Sequence, residues 1–170
     1  MGKRSNAIIT GGGGFIASHL AEKIQDKYDT IYLIDNFVRT GEDKQRNIKH
    51  LDSGKFVIVE EEVSKVNFYD FNNIEAVYHL AATCINRCAK NPKEGHTMLA
   101  DAGFNVVDYC ANMKVKLFFS STASVYNNPK RFPIEESDPC EPHTIYGSAK
   151  YYTENLIRTY AKSHNLKYAI

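Results

Sequence analysis

The stretch that decides the fold is Asn6-Ala7-Ile8-Ile9-Thr10-Gly11-Gly12-Gly13-Gly14-Phe15-Ile16-Ala17. A short apolar run rich in β-branched residues reads as a buried strand, and the glycines that follow it mark a turn. Gly11, Gly14 and Ala17 satisfy a G-x-x-G-x-x-G/A spacing where that strand passes into a helix. Glycine there permits the tight turn and lets backbone N–H groups approach a pyrophosphate, while the positive end of the helix points at the same place. The small side chain of Ala17 lets the helix sit close to the strand. Taken alone, four glycines are equally compatible with a flexible turn, so the reading depends on what surrounds them.

Working outward, strands are expected over 6–10, 30–35, 56–60, 76–80 and 116–120, and helices over 14–27, much of 93–112, and 145–163. Region 36–54 is polar and reads as a loop with a short helix, while 127–143 holds four prolines and is expected to be irregular and to line a cleft. Residues 167–170 read as the opening of a sixth strand that stops almost as soon as it begins. Short apolar runs alternating with helical segments predict an α/β fold with a doubly wound parallel sheet, covered on both faces. No internal repeat, low-complexity tract or linker divides the chain, and one domain is expected over 1–170.

Asp35 ends the second predicted strand, where a carboxylate accepts hydrogen bonds from the hydroxyls of an adenosine ribose. The plainer alternative is a solvated turn aspartate. Such a carboxylate also repels a 2′-phosphate, by about 4 kcal/mol for charges about 4 Å apart at an effective dielectric near 20. That favours NAD over NADP. Arg39 stands close enough in sequence to meet a 2′-phosphate, to cover the adenine face, or to face water.

Composition removes other classes. The 170 residues are 43% hydrophobic and 24% charged, and 21 basic against 20 acidic residues give a net charge of +1, which creates no field to recruit nucleic acid or an anionic membrane. No apolar run approaches the roughly 18–20 residues of a membrane span, the basic start is not followed by a secretory pattern, and Asn6 stands where a myristoylation signal needs Ser or Thr. A cytoplasmic location is the expectation. Cys84, Cys88, Cys110 and Cys140 then read as reduced, buried or half-buried thiols. Cys84 and Cys88, even with His79 or His96 nearby, lack the second tight pair of ligands that a zinc site needs, so no metal is expected.

At this point the chain resembles the NAD-dependent epimerase/dehydratase family, the extended short-chain dehydrogenases, over nearly its whole length. The residues that carry the resemblance are Thr10 through Ala17, Asp35-Asn36-Phe37 through Gly41, His79-Leu80-Ala81-Ala82, Ser120-Ser121-Thr122-Ala123-Ser124-Val125-Tyr126, and Tyr146-Gly147-Ser148-Ala149-Lys150, in register and in order. The resemblance implies a Rossmann sheet of order 3-2-1-4-5-6 with strand 6 truncated, and a smaller substrate domain, usual in the family, that is absent from this chain. Gly11, Gly14, Phe15, Ile16, Asp35, Asn36, Glu62, Val63, Leu80, Ala81, Ala82, Tyr146 and Lys150 would then contact NAD, with His79 packed behind the strand end.

Three departures stand out. Glu62-Val63 falls where the family has Asp before an aliphatic residue, Asp101 falls where it has Asn, and Asn127 replaces a glycine. An unpaired carboxylate at Asp101 would alter hydrogen bonding behind the active site.

Tyr146 and Lys150 are four apart and share one face of a helix. A free tyrosine has a pKa near 10, so proton removal at neutral pH requires a cation beside the phenolate. The resemblance makes Tyr146 the base, Lys150 the cation that strengthens it, and Thr122 the group that orients a sugar hydroxyl. It implies epimerisation of a nucleotide-activated sugar through a keto intermediate, and a homodimer formed through helices like those at 93–112 and 145–163. Ala123-Ser124 replaces the acidic residues typical of the dehydratases and decarboxylases, although a reductase or dehydratase stays open. A non-catalytic NAD-binding module is the alternative from another class.

Overall fold

The computed structural model describes residues 5–39, 43, 46–51, 54–126 and 129–170. Five apolar runs pair side by side as β1 (Asn6–Thr10), β2 (Ile31–Asp35), β3 (Phe56–Glu60), β4 (Ile74–His79) and β5 (Lys116–Phe119), and the short β6 (Tyr168–Ala169) joins at one edge. Every pairing is parallel and the order is β3-β2-β1-β4-β5-β6, the doubly wound arrangement that the alternation predicts. Parallel strands need crossover connections: α1 (Phe15–Ile24) lies between β1 and β2, α2 (Ile85–Lys90), α3 (Pro92–His96) and α4 (Ala102–Met113) between β4 and β5, and α5 (Ile145–His164) between β5 and β6.

The pleat sorts the strand residues between two layers. Ala7, Ile9, Leu33 and Ala76 pack against Ala17, Ala21 and Ile24 of α1. Ile8, Ile34, Val77 and Leu117 pack on the other face against Val106, Val107 and Cys110 of α4 and Ile157 of α5. Each fully buried Val, Leu or Ile contributes about 1.5–3 kcal/mol. A one-residue slip would turn both sets to the wrong layer, so the register is held firmly. In that register Thr10 lies opposite His79, and His79 opposite Phe119, at the carboxyl ends of three adjacent strands.

Several boundaries differ from expectation. The first helix ends at Ile24 and tightens into a 3₁₀ turn over Gln25–Lys27, and β4 begins at Ile74. The run expected over 93–112 is interrupted: α3 and α4 are separated by a π turn, Thr97–Asp101, which buries Leu99 and Ala100. The short helix α2 had no clear periodic signal. The described residues of 36–54 form turns and no helix. The described residues of 127–143 are irregular, and of these Pro142 and His143 line a cavity. Asn127 and Gly41 lie outside the described residues.

Cys88 and Cys110 are buried and Cys140 is half-buried as expected, but Cys84 is exposed at the start of α2. Among the described residues no three His, Cys, Asp or Glu side chains gather as a metal site, and no helix is long and apolar enough to cross a membrane.

Candidate active site

The glycine loop begins where β1 runs out. Gly11 adopts φ 72°, and a Cβ on it would stand 2.8 Å from the backbone nitrogen of Ala81. A left-handed φ and a backbone neighbour that cannot retreat together require glycine. A Cβ on Gly12 would meet the Leu33 side chain at 2.7 Å, and one on Gly13 the Phe37 ring at 2.6 Å, so the loop is wedged between β2 and β4. Gly14 caps α1 in extended conformation without any side-chain hydrogen bond, and the first turn carries no acidic residue. The N–H groups there are available to an anion.

Gly13 is gripped at both its polar atoms. Its N–H donates to Asp35 Oδ2 at 3.0 Å, and its carbonyl accepts from Asn47 Nδ2 at 2.8 Å. The other Asp35 oxygen accepts the Phe37 N–H at 2.7 Å, while Asn36 Nδ2 donates to Glu62 Oε2 at 2.6 Å. Asp35 is therefore a loop-holding group as well as a strand-end carboxylate, and Glu62 is fastened in place despite its extra methylene. On the opposite wall, Leu80 N–H donates to the Thr10 carbonyl at 3.2 Å and Ala81 N–H to Thr10 Oγ1 at 3.3 Å. Thr10 Oγ1 also shares a 2.7 Å hydrogen bond with Nδ1 of His79, which is buried as expected.

These walls enclose a cavity of about 540 Å³. The expected residues of the loop (Gly11, Gly14, Phe15, Ile16), of β2 (Asp35, Asn36), of the segment after β3 (Glu62, Val63) and of the wall (Leu80, Ala81, Ala82) all line it. Phe15 and Ile16 are 69% and 66% exposed on its rim, apolar surface that a flat ligand would cover. Arg39 lines it too, as do Gly13 and Ser120 from the quoted motifs, and Arg46, Asn47 and Met98, which the sequence reading did not single out. Asn47 answers a carbonyl 34 residues away, Met98 is presented by the π turn, and Ser120 acts through its own carbonyl. No spacing pattern encodes Asn47 or Met98, and the motif that contains Ser120 does not mark its carbonyl.

The catalytic candidates stand beside this cavity and are not among its lining residues. Thr122 follows β5 and caps the 3₁₀ turn Ala123–Val125, its hydroxyl oxygen accepting Ser124 N–H at 3.2 Å. That bond leaves the hydroxyl proton to be donated elsewhere. Tyr146 is half-buried in the first turn of α5, where Thr144 caps the helix by accepting Gly147 N–H at 3.0 Å. Its ring packs on the cluster of Cys88, Leu99, Ala100 and Ala149 that also supports Ala82.

One turn later, Lys150 is 3% exposed, and its Nζ donates to the Ser120 carbonyl at 2.8 Å. Burial lowers its pKa to about 8, so the ammonium form persists at neutral pH. Burial, followed by the charge of Lys150, depresses His79 to about 3 and keeps that imidazole neutral. Asp101, expected to be unpaired behind the active site, is instead exposed in the π turn, with Oδ1 3.4 Å from His96 Nε2. It lines a second cavity of about 670 Å³ between the π turn and the start of α5.

A parallel sheet of this order with a glycine loop at its switch point, a strand-end aspartate and a cavity between them defines a dinucleotide-binding domain. Residues 7–170 match the NAD dependent epimerase/dehydratase family, and the chain belongs to it. The family's cofactor is NAD.

Among curated relatives, a putative UDP-glucose 4-epimerase of Methanocaldococcus jannaschii is 30% identical over 167 residues, covering 96% of this chain and 53% of that protein. Among solved structures, the UDP-N-acetylglucosamine 4-epimerase of Methanobrevibacter ruminantium M1, in complex with UDP-N-acetylmuramic acid, superposes with a TM-score of 0.87. It is 26% identical, covering 98% of this chain and 53% of that one. The UDP-glucuronic acid 4-epimerase of Bacillus cereus, in complex with UDP-glucuronic acid and NAD, has the same TM-score and identity, covering 97% and 55%. The chain thus spans about half the length of the relatives it matches.

Proposed function

We propose that this chain is the NAD-binding and catalytic domain, over 1–170, of a cytoplasmic enzyme that epimerises a nucleotide-activated sugar through a transient keto sugar. The observation that carries the reading is the buried Lys150 ammonium, held at the Ser120 carbonyl on the edge of the cavity and one helical turn from Tyr146. The glycine loop fits a dinucleotide because a Cβ on Gly11, Gly12 or Gly13 would strike Ala81, Leu33 or Phe37, so only glycine lets the loop pack this closely on the strands and bring the start of α1 to the cavity.

Gly11, Gly14, Phe15 and Ile16 would hold the pyrophosphate end, Asp35 and Asn36 the adenosine ribose, Glu62 and Val63 the adenine, and Leu80 to Ala82 the flank. Bound NAD supplies the acceptor and donor of hydride. Tyr146 removes the proton of the sugar hydroxyl and returns it, while Thr122 donates a hydrogen bond that orients that hydroxyl. Removal of that proton at neutral pH requires a cation beside the phenolate, and Lys150, one helical turn from Tyr146 on α5, is the proposed cation. Ala123 and Ser124 after Thr122 offer no acid to expel water, which supports epimerisation over dehydration.

A second copy of the chain is the proposed partner. Phe104 of α4 and Ile145 and Tyr152 of α5 are 46%, 38% and 44% exposed, the last two beside the 670 Å³ cavity, and burying them against a copy would remove that apolar surface from water.

The test is incubation with NAD and a panel of UDP-, GDP- and dTDP-sugars, with separation of products and Tyr146→Phe alongside. Interconversion of a sugar epimer pair that disappears in the variant is expected. NAD binding without turnover of any sugar would replace this reading with a non-catalytic module.

A further inference from the structure

Lys150 is an unusual buried cation. Among the described residues no Asp or Glu lies within ion-pair distance of it. Its lowered pKa traces to burial alone. What it has is the Ser120 carbonyl at 2.8 Å and, at 4.6 Å from its Nζ, the centre of the Phe119 ring. The face of an aromatic ring carries partial negative charge, and a desolvated ammonium above it gains more than an exposed one does.

The same ring is fixed from its strand neighbour. His79 lies opposite Phe119 across the β4–β5 pairing, and the two rings stack at 5.5 Å with 21° between their planes. Both rings are at most 5% exposed, and Thr10 fixes the imidazole in turn. The ionisable groups around Lys150 are few. His79 on β4 stays neutral, Tyr146 precedes Lys150 by a turn on α5, and Glu154 follows it by a turn with its carboxylate taken by Ser121 and Arg158. Among the described residues no carboxylate offers the counter-charge that the ring supplies.

We propose that Phe119 is a positioning residue for Lys150, its ring face holding the ammonium charged and at the Ser120 carbonyl, and that an aliphatic side chain of similar size fills the core without doing this. The consequence for catalysis rests on the proposed role of Lys150. If the ring sustains the charge of Lys150, it sets the upper pH at which Tyr146 keeps its cation.

The test compares the wild-type chain with Phe119→Leu and with 3,4,5-trifluorophenylalanine in place of Phe119. The fluorinated ring keeps shape and packing but drains negative charge from the ring face. Lys150 is followed by the Cε resonance of ¹³C-labelled lysine between pH 6 and 11, assigned with Lys150→Met, and sugar turnover is measured over the same range. The expected result is a titration midpoint about one pH unit lower in both variants, with the alkaline limb of turnover moving down equally.

An unchanged Lys150 titration in the fluorinated protein overturns the proposal, whatever happens to stability or activity. A lowered titration with an alkaline limb that stays in place keeps the ring contact and overturns its catalytic consequence. Absence of turnover in the wild-type chain counts against the catalytic reading alone, because the titration still decides what Phe119 does.

Discussion

Thr10 Oγ1 and His79 Nδ1 meet at 2.7 Å at the point where the first strand gives way to the glycine loop, and the same oxygen accepts the N–H of Ala81 at 3.3 Å. One hydroxyl thereby joins the loop to the wall across the cavity. The bond is made by an imidazole that burial keeps neutral, and that has a cost in acid. The native His79 pKa is near 3, whereas the unfolded chain takes up the proton near 6.5, so stability is complete above about 6.5 and is lost as pH falls toward 3.

The first prediction follows from that sign. Between pH 7 and pH 5 the wild-type chain should lose about 2 kcal/mol of unfolding free energy through this one group. His79→Phe, which keeps the ring and cannot titrate, should lose less over the same interval. Urea titrations at the two pH values measure both. Parallel losses in the two proteins would mean that acid sensitivity comes from other groups.

Lys150 follows the same sign in a higher pH window. Its native pKa near 8 lies below the ordinary 10.5, so native stability is fullest above about 10.5 and falls as pH drops to 8, with the whole deficit present at neutral pH. Lys150→Met should therefore raise stability at pH 7 by on the order of 2 kcal/mol, after allowing for the Ser120 carbonyl left without its donor. The gain should shrink toward pH 10.5 and turnover should be abolished. A variant that is less stable than wild type at pH 7 would show that the ammonium is net stabilising where it sits.

The contact between α4 and α5 is the third. A Cβ on Gly103 would stand 2.4 Å from Thr153 Oγ1 and 2.9 Å from its Cγ2, and Thr153 is buried with its hydroxyl bonded to the Ala149 carbonyl at 3.1 Å. Gly103→Ala should cost about 1–3 kcal/mol through overpacking. Thr153→Ala in the same chain should recover much of the loss, because it removes the two atoms in the way. Additive losses in the double variant, read from thermal unfolding, would place the strain elsewhere.

How much of this was legible beforehand depends on which atoms do the work. The strands were legible because Ala7 to Ile9, Ile31, Leu33, Ile34 and Val77 are buried on both sides of the sheet and have to be apolar. The loop was legible because Gly11 needs its φ of 72° and its contact with Ala81. The π turn was not, because an extra residue in a helical turn leaves composition and approximate period unchanged. Asp101, in that turn, is exposed beside His96, rather than unpaired behind the active site. Ser120 contributes a carbonyl that any residue type possesses, and Phe119 looked like one more apolar strand residue until the helix laid Lys150 against its ring.

Asn47 is the sharpest case of a residue that spacing did not mark, and it carries the last prediction. Its amide donates to the carbonyl of Gly13, whose N–H donates to Asp35, so the middle of the glycine loop is held by one side chain from each direction. Asn47 lines the cavity in a polar, irregular segment, so Asn47→Ala should leave the sheet intact and cost no more stability than this one bond. What it removes is a hydrogen bond worth about 0.5–1.5 kcal/mol that fixes the loop before a ligand arrives, which corresponds to about a 2- to 10-fold weaker hold on NAD. Asp35→Ala should weaken binding further, since it releases both Gly13 and Phe37 and removes the carboxylate expected at the ribose. Calorimetric titration of NAD into the three proteins gives the order. Equal affinity in wild type and Asn47→Ala would mean that Asp35 alone suffices to hold Gly13 in place.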